Sequence, residues 1–195
     1  MPQLVALDVA ILLPPDINDV AIALSGGLNS EPSEGLRLGA ARLPHVTLTQ
    51  QFVRTEHLED VRQAVGGVLA GKLPLPLRIV AGRRQGRALW IAIEGTEELN
   101  ALHDRLMTIL LPFEQRGRAD AFIGEPARSS DVDWVQTYRR KASFARFTPH
   151  VTLGHGARAP QLQPLSFYAR DIAACHLGRF CACRAVLGRW TLTAV

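Results

Sequence analysis

The chain has 195 residues, 47% of them apolar, and a formal net charge of +4. A chain of that length buries roughly 70% of the surface its unfolded form exposes, so its core needs no staples. No apolar run reaches the length of a membrane span, and no polybasic block marks a nucleic-acid-binding tail.

Leu4–Leu13 is apolar, interrupted by Asp8 and closed by Pro14 and Pro15, and reads as a strand. No basic region precedes it and no small-residue cleavage site follows, so it is not a signal peptide and the protein is expected to be cytoplasmic. Pro15 and Asp16 open a helix that runs to about Leu24 and stops at Gly26 and Gly27. Leu28–Ala41 is a polar loop, and His45–Val53 is the next strand. Thr55 is placed as an N-cap, with Glu56 and Glu59 in the first turn and Val61, Val65, Val68 and Leu69 at helical spacing. Leu75–Val80 and Ala88–Ile93 are β-rich and form a hairpin through the basic turn Gly82–Arg87. Arg83, Arg84 and Arg87 are assigned to its solvated tip. Thr96 caps a third helix that carries Leu99, Leu102, Leu106 and Ile109 on one face.

Residues 112–131 are rich in Gly, Pro and charge and read as a crossover. Val132–Lys141 is a short helix. Phe147–Gly154 is extended, and two long β-rich segments follow, Leu165–Leu177 and Phe180–Leu192. Adjacent β segments with interspersed helices argue for an α+β fold with antiparallel sheets. Cys175, Cys181 and Cys183, spaced C-x5-C-x-C, fit neither a disulfide framework nor a zinc site, and are read as reduced, buried thiols. His57 and His103 are read as surface residues, and His176 as a strand residue without a role.

The pentapeptide Pro-His-Val-Thr-Leu occurs twice, at Pro44–Leu48 and Pro149–Leu153. In a strand, residues i and i+2 share a face, so each copy presents an imidazole beside a hydroxyl while Val and Leu point the other way. Two such strands facing one cleft would offer two imidazoles and two hydroxyls to one substrate. Cleavage of a phosphodiester needs a base, an acid and donors to the non-bridging oxygens. His45 and His150 are the candidate acid–base pair, since imidazole titrates near neutrality. Thr47 and Thr152 are the candidate donors, held stiffly by their β-branches.

The paired His-x-Thr motifs, about a hundred residues apart, resemble those of the 2H phosphoesterase superfamily, and within it the bacterial LigT-like proteins (2′-5′ RNA ligase or cyclic phosphodiesterase). The opening strand Leu7–Pro15 and the approach Phe147-Thr148-Pro149-His150 resemble them too. The resemblance implies a single bilobal domain over residues 1–195 with pseudo-two-fold symmetry. Each lobe would hold an antiparallel sheet with outer helices, and the active-site groove would lie between the lobes. It also implies metal-independent hydrolysis of 2′,3′-cyclic phosphates on RNA ends or nucleotides, with no cofactor. His150 would then activate water and His45 protonate the leaving oxygen. Many relatives carry Arg five residues after the second motif histidine. Here His155 stands there, and Gln50 is its counterpart after the first; either reaches the motif face only if its strand bends or bulges. Tyr138 is a further candidate for substrate binding, by stacking on a base, and Phe144 and Phe147 are assigned to the core or the groove wall.

The expected partner is an RNA terminus or a small cyclic nucleotide, with no DNA and no membrane, and the chain is read as a monomer. The alternative is a non-catalytic module that keeps the groove and holds RNA ends or a nucleotide. A metallohydrolase using His45 and His150 as ligands is disfavoured, because no carboxylate or third His recurs at ligand spacing. Ligation is expected only as the reverse of cleavage, since no nucleotide-activating lysine motif or phosphate-binding glycine loop is present.

Overall fold

The computed structural model describes residues 3–28 and 35–193; of the expected loop over 28–41, positions 29–34 lie outside the described residues. In chain order the elements are β1 (Leu4–Leu12), α1 (Pro15–Gly26), β2 (His45–Arg54), α2 (Leu58–Leu69), β3 (Leu75–Gln85), β4 (Ala88–Ile93) and α3 (Glu97–Ile109). They continue with α4 (Ser129–Lys141), β5 (His150–His155), β6 (Leu165–Ala169), β7 (Asp171–Gly178) and β8 (Ala182–Thr191).

The strands form two four-stranded sheets, ordered β2-β1-β7-β8 and β5-β4-β3-β6, with every pairing antiparallel. The orders superimpose as β2 on β5, β1 on β4, β7 on β3 and β8 on β6. That is a pseudo-two-fold arrangement, with each motif on an edge strand and the two edge strands packed together. The fold is thus the expected two-lobed α+β. The core follows the alternation of the strands. Val5, Leu7, Val9 and Ile11 of β1 join Leu75, Leu77 and Ile79 of β3, Leu89 and Ile91 of β4, and the inner faces of α1, α2 and α3 in one buried cluster. A second cluster, with Leu4, Ala6, Phe52 and Leu177, seats Val135 of α4 on the other face of the first sheet.

Several local expectations change. Thr55 lies in a 3-10 turn ahead of α2 and donates its hydroxyl to the Gln3 carbonyl at 3.1 Å, so it does not cap the helix. Strand β3 continues through Arg83 and Arg84 to Gln85, which leaves only Gly86 and Arg87 as the hairpin tip. The segment Leu165–Leu177 divides at Arg170, giving β6 to the second sheet and β7 to the first. Thr96 does cap α3, accepting from the Leu99 N–H. His103, read as a surface residue, is wholly buried. It stands four residues after Leu99 and three before Leu106, inside the apolar stripe.

The cysteines are a further correction. Cys175 on β7 and Cys183 on β8 form a disulfide, and Cys181 is free. Register shifts flanking Cys175 and His176 bring the Cα atoms of the pair to 5.5 Å, which no count of spacings reveals. Burial, then the charges of Asp131 and Asp8, push the Cys181 thiol far above its ordinary range. Among the described residues no helix is long and apolar enough to cross a membrane.

Candidate active site

The two motifs are positioned by one device used twice. In the pairing of β1 with β2, Val9 opposes Thr49 and Ala10 opposes Thr47, so Leu48 is an extra residue, a β-bulge. In the pairing of β4 with β5, Leu89 opposes Gly154 and Trp90 opposes Thr152, so Leu153 is the extra residue. A bulge inverts the alternation beyond it. His45 and Thr47 therefore share a face with Gln50, and His150 and Thr152 share a face with His155, which meets the condition set for those two positions. Gly154, just past the second bulge, has φ +138°, and a Cβ there would lie 2.5 Å from the Leu36 carbonyl oxygen. Only glycine fits.

Each imidazole is fixed the same way. His45 donates from Nδ1 to the Leu43 carbonyl at 2.7 Å, and His150 from Nδ1 to the Thr148 carbonyl at 2.7 Å. A carbonyl only accepts, so Nδ1 carries the proton and Nε2 is the working nitrogen in both rings. The prolines of the motifs, Pro44 and Pro149, lie between ring and carbonyl and keep that short span extended.

The surroundings of the two rings differ. Asp8, fully buried in the middle of β1, stands beneath His45 with its Oδ2 3.5 Å from Nε2. The same oxygen accepts from the Thr47 hydroxyl at 2.7 Å and from Gln50 Nε2 at 2.8 Å. Burial alone would lower the pKa of His45, but hydrogen bonding and charge from Asp8, with the Leu43 carbonyl, outweigh it and raise the pKa above 6.5. Among the described residues, no carboxylate acts on His150 in this way. Its ring packs at 5.0 Å on the indole of Trp90. Burial lowers its pKa, the Thr148 carbonyl opposes this, and the charge of His45 lowers it further. That last influence, with the packing of β2 against β5, puts the two rings within electrostatic reach of each other.

The candidate residues thus fall into two groups. His45, Thr47, His150 and Thr152 lie on the two facing edge strands. Thr47 is occupied with Asp8, whereas the Thr152 hydroxyl has no partner among the described residues. Gln50 is buried and braces Asp8. His155 lies beside Gly35 and turns an edge toward the Phe180 ring at 6.2 Å. Tyr138 is 4% exposed and packs edge-on to Trp134, so its ring offers no face for stacking. Burial, then the charge of Asp8, hold its phenol well above the ordinary value. Phe144 is exposed, and Phe147 packs against the core. Sequence reading missed Asp8 and Trp90. The signal for Asp8 was a lone carboxylate inside an apolar strand; Trp90 gave none. Among the described residues, no group of three or more His, Cys, Asp or Glu is placed to hold a metal ion.

Residues 31–174 match the family model described as the 2′-5′ RNA ligase superfamily. The chain belongs to that superfamily. Among solved structures, it is similar to TT0787 of Thermus thermophilus, with 16% identity, a TM-score of 0.62, and 96% of this chain and 97% of that one covered. It is also similar to E. coli LigT complexed with 3′-AMP (19% identity, TM-score 0.62, 100% of both chains). A structure described as a phosphoesterase matches at 21% identity and a TM-score of 0.59, over 97% of this chain and 99% of that one. At these identities the likeness is one of fold. No curated protein is similar enough in sequence to be matched.

Proposed function

We propose that the protein is a metal-independent cyclic phosphodiesterase that opens 2′,3′-cyclic phosphates on RNA ends or nucleotides. The observation that carries this reading is a pair of imidazoles on two edge strands packed together, each held through Nδ1 so that Nε2 is left to work. His150 is held toward its neutral form and His45 toward its cationic form, so a base and an acid coexist near neutral pH. A water oxygen attacks phosphorus as His150 Nε2 takes its proton. The bond from phosphorus to the 3′ oxygen breaks in line, and that oxygen takes the proton from His45 Nε2, leaving a 2′-phosphate. Thr152 supplies a free donor to a non-bridging oxygen; Thr47 supplies one only by releasing Asp8. Ligation of 2′-5′ ends is the same ring opening with an RNA 5′-hydroxyl in the place of water: the new bond forms between phosphorus and that oxygen as His150 takes its proton, the bond to the 3′ oxygen breaks, and cleavage of the 2′-5′ linkage is the reverse.

The E. coli relative's complexes with 3′-AMP and with ATP support a nucleotide-sized ligand for this groove. A cytoplasmic setting requires the Cys175–Cys183 bridge to resist a reducing pool, and the full burial of both residues favours that.

The test is turnover of the four 2′,3′-cyclic nucleotides in EDTA by the wild type, His45→Ala and His150→Ala. Loss of roughly 10²–10⁴-fold in each variant is expected, the usual worth of one acid or base. Tight binding without product would convert the reading to a nucleotide-binding module. Activity abolished by the chelator would convert it to a metallohydrolase.

A further inference from the structure

A bulge leaves its extra residue outside the ladder, so the carbonyls of Leu48 and Leu153 need partners from elsewhere. Both are met by a buried polar side chain from a helix of the opposite half. Ser25 on α1, the helix after β1 of the first sheet, donates its hydroxyl to the Leu153 carbonyl at 2.6 Å. His103 on α3, the helix after β4 of the second sheet, meets the Leu48 carbonyl from Nδ1 at 2.6 Å. Each of these side chains also accepts a backbone N–H. Leu38, on the approach to His45, donates to Ser25 Oγ at 2.9 Å, and Phe144, on the approach to His150, donates to His103 Nε2 at 2.9 Å. Both residues are wholly buried.

The two links are crossed. Ser25 joins the bulge of the second motif strand to the approach of the first. His103 joins the bulge of the first motif strand to the approach of the second. The partners settle the tautomer of His103. Nδ1 faces a carbonyl and must donate, while Nε2 faces an N–H and must accept, so the ring is neutral with its proton on Nδ1. Its plane lies on Phe147 at 3.9 Å and 4°, which fixes its orientation. The approach it holds is strained, since Phe144 has φ +56°.

We infer that Ser25 and His103 are positioning residues, a pair of crossed buried latches that set the register and separation of His45 and His150 across the groove. Neither reaches the substrate. They act through the bulges that put the imidazole and hydroxyl pairs on the groove face.

The inference rests on the phosphodiesterase reading, so its test has one arm that does not. His103→Phe keeps an aromatic ring on Phe147 and removes both hydrogen bonds. His103→Gln keeps one donor and one acceptor. Ser25→Ala removes the other latch and carries the same expectation should His103→Phe not fold. In variants whose circular dichroism and melting show a folded protein, kcat on a 2′,3′-cyclic nucleotide is expected to fall about 10²-fold for His103→Phe and Ser25→Ala, with KM within about twofold, because misplacing acid against base costs the chemical step rather than binding. His103→Gln is expected to recover most of that loss. Wild-type kcat in folded His103→Phe or Ser25→Ala would overturn the inference. Should the wild type turn over no cyclic phosphate, the functional reading fails and nuclear magnetic resonance titration of the imidazoles decides. Weakened mutual influence of His45 and His150 in the folded variants then supports the latches, and titrations identical to wild type overturn them.

Discussion

Aligning the two motif strands register by register makes their difference specific. The residue opposite His45 is Leu12 and the one opposite His150 is Ala92; Ala10 opposes Thr47 where Trp90 opposes Thr152; Asp8 opposes Gln50 where Ala88 opposes His155. The bulge, the ring-to-carbonyl bond two residues back and the helix-borne latch all repeat. What does not repeat is the floor of each half, a carboxylate on one side and an indole on the other. Duplicated backbone therefore fixes where the imidazoles stand, and Asp8, replaced by Ala88 at the matching register position, raises the proton affinity of His45 alone. Two equal histidines would also share one proton over part of the pH range, but with neither ring favoured; the asymmetry assigns that proton to His45.

The threonines offer the largest effect that distinguishes the halves. Among the described residues Thr152 has no partner, whereas Thr47 is bonded to Asp8. Thr152→Val is expected to lower kcat by roughly 10²-fold, the usual loss for one donor to a developing oxyanion. Thr47→Val should cost less in kcat and act chiefly through Asp8, displacing the alkaline limb of the pH profile. Steady-state kinetics of the two variants over a range of pH would separate them, and equal losses with unmoved limbs would remove the asymmetry from the hydroxyls.

Asp8→Asn addresses the floor itself. His45 works protonated, so its raised pKa sets the alkaline limb; His150 works neutral, so its lowered pKa sets the acid limb. Without the carboxylate, burial is left to lower His45, and the alkaline limb moves toward acid while the acid limb stays. At pH 8 the expected loss is about tenfold for each unit by which the pKa falls. An unmoved alkaline limb would mean that His45 is not the acid.

Much of this was legible in the sequence, and the parts that were not share a cause. Strands and helices with strong periodicity fall where the pattern puts them, and the motif histidines were marked by recurrence. The reach of Gln50 and His155 was legible only as a condition, because a bulge is a property of the pairing of two strands. His103 was misread because polarity was weighed above position, although its spacing from Leu99 and Leu106 lies on the buried face. The Cys175–Cys183 bridge depends on register shifts within a hairpin, and Tyr138 on which side α4 turns toward the first sheet. Such features are settled by tertiary contacts, which spacing along one chain does not encode.

Trp90 gives the smallest and most discriminating effect. Two influences of an indole on an imidazole oppose each other. Its bulk excludes water and disfavours the cation, lowering the pKa; its π face attracts the cation, raising it. The rings lie 5.0 Å apart at 40°, neither stacked nor edge-on, and the net pKa of His150 is lowered with burial as the leading cause. Trp90→Leu, which keeps much of the apolar bulk, should therefore leave the acid limb nearly in place. Trp90→Ala, which admits water, should raise it by less than about one unit and slow turnover at pH 6 by a few-fold, with the alkaline limb unchanged. If removal of the indole lowers the acid limb instead, the π face is the stronger influence, and the low proton affinity of His150 must be traced to the rest of its buried surroundings and to the charge of His45.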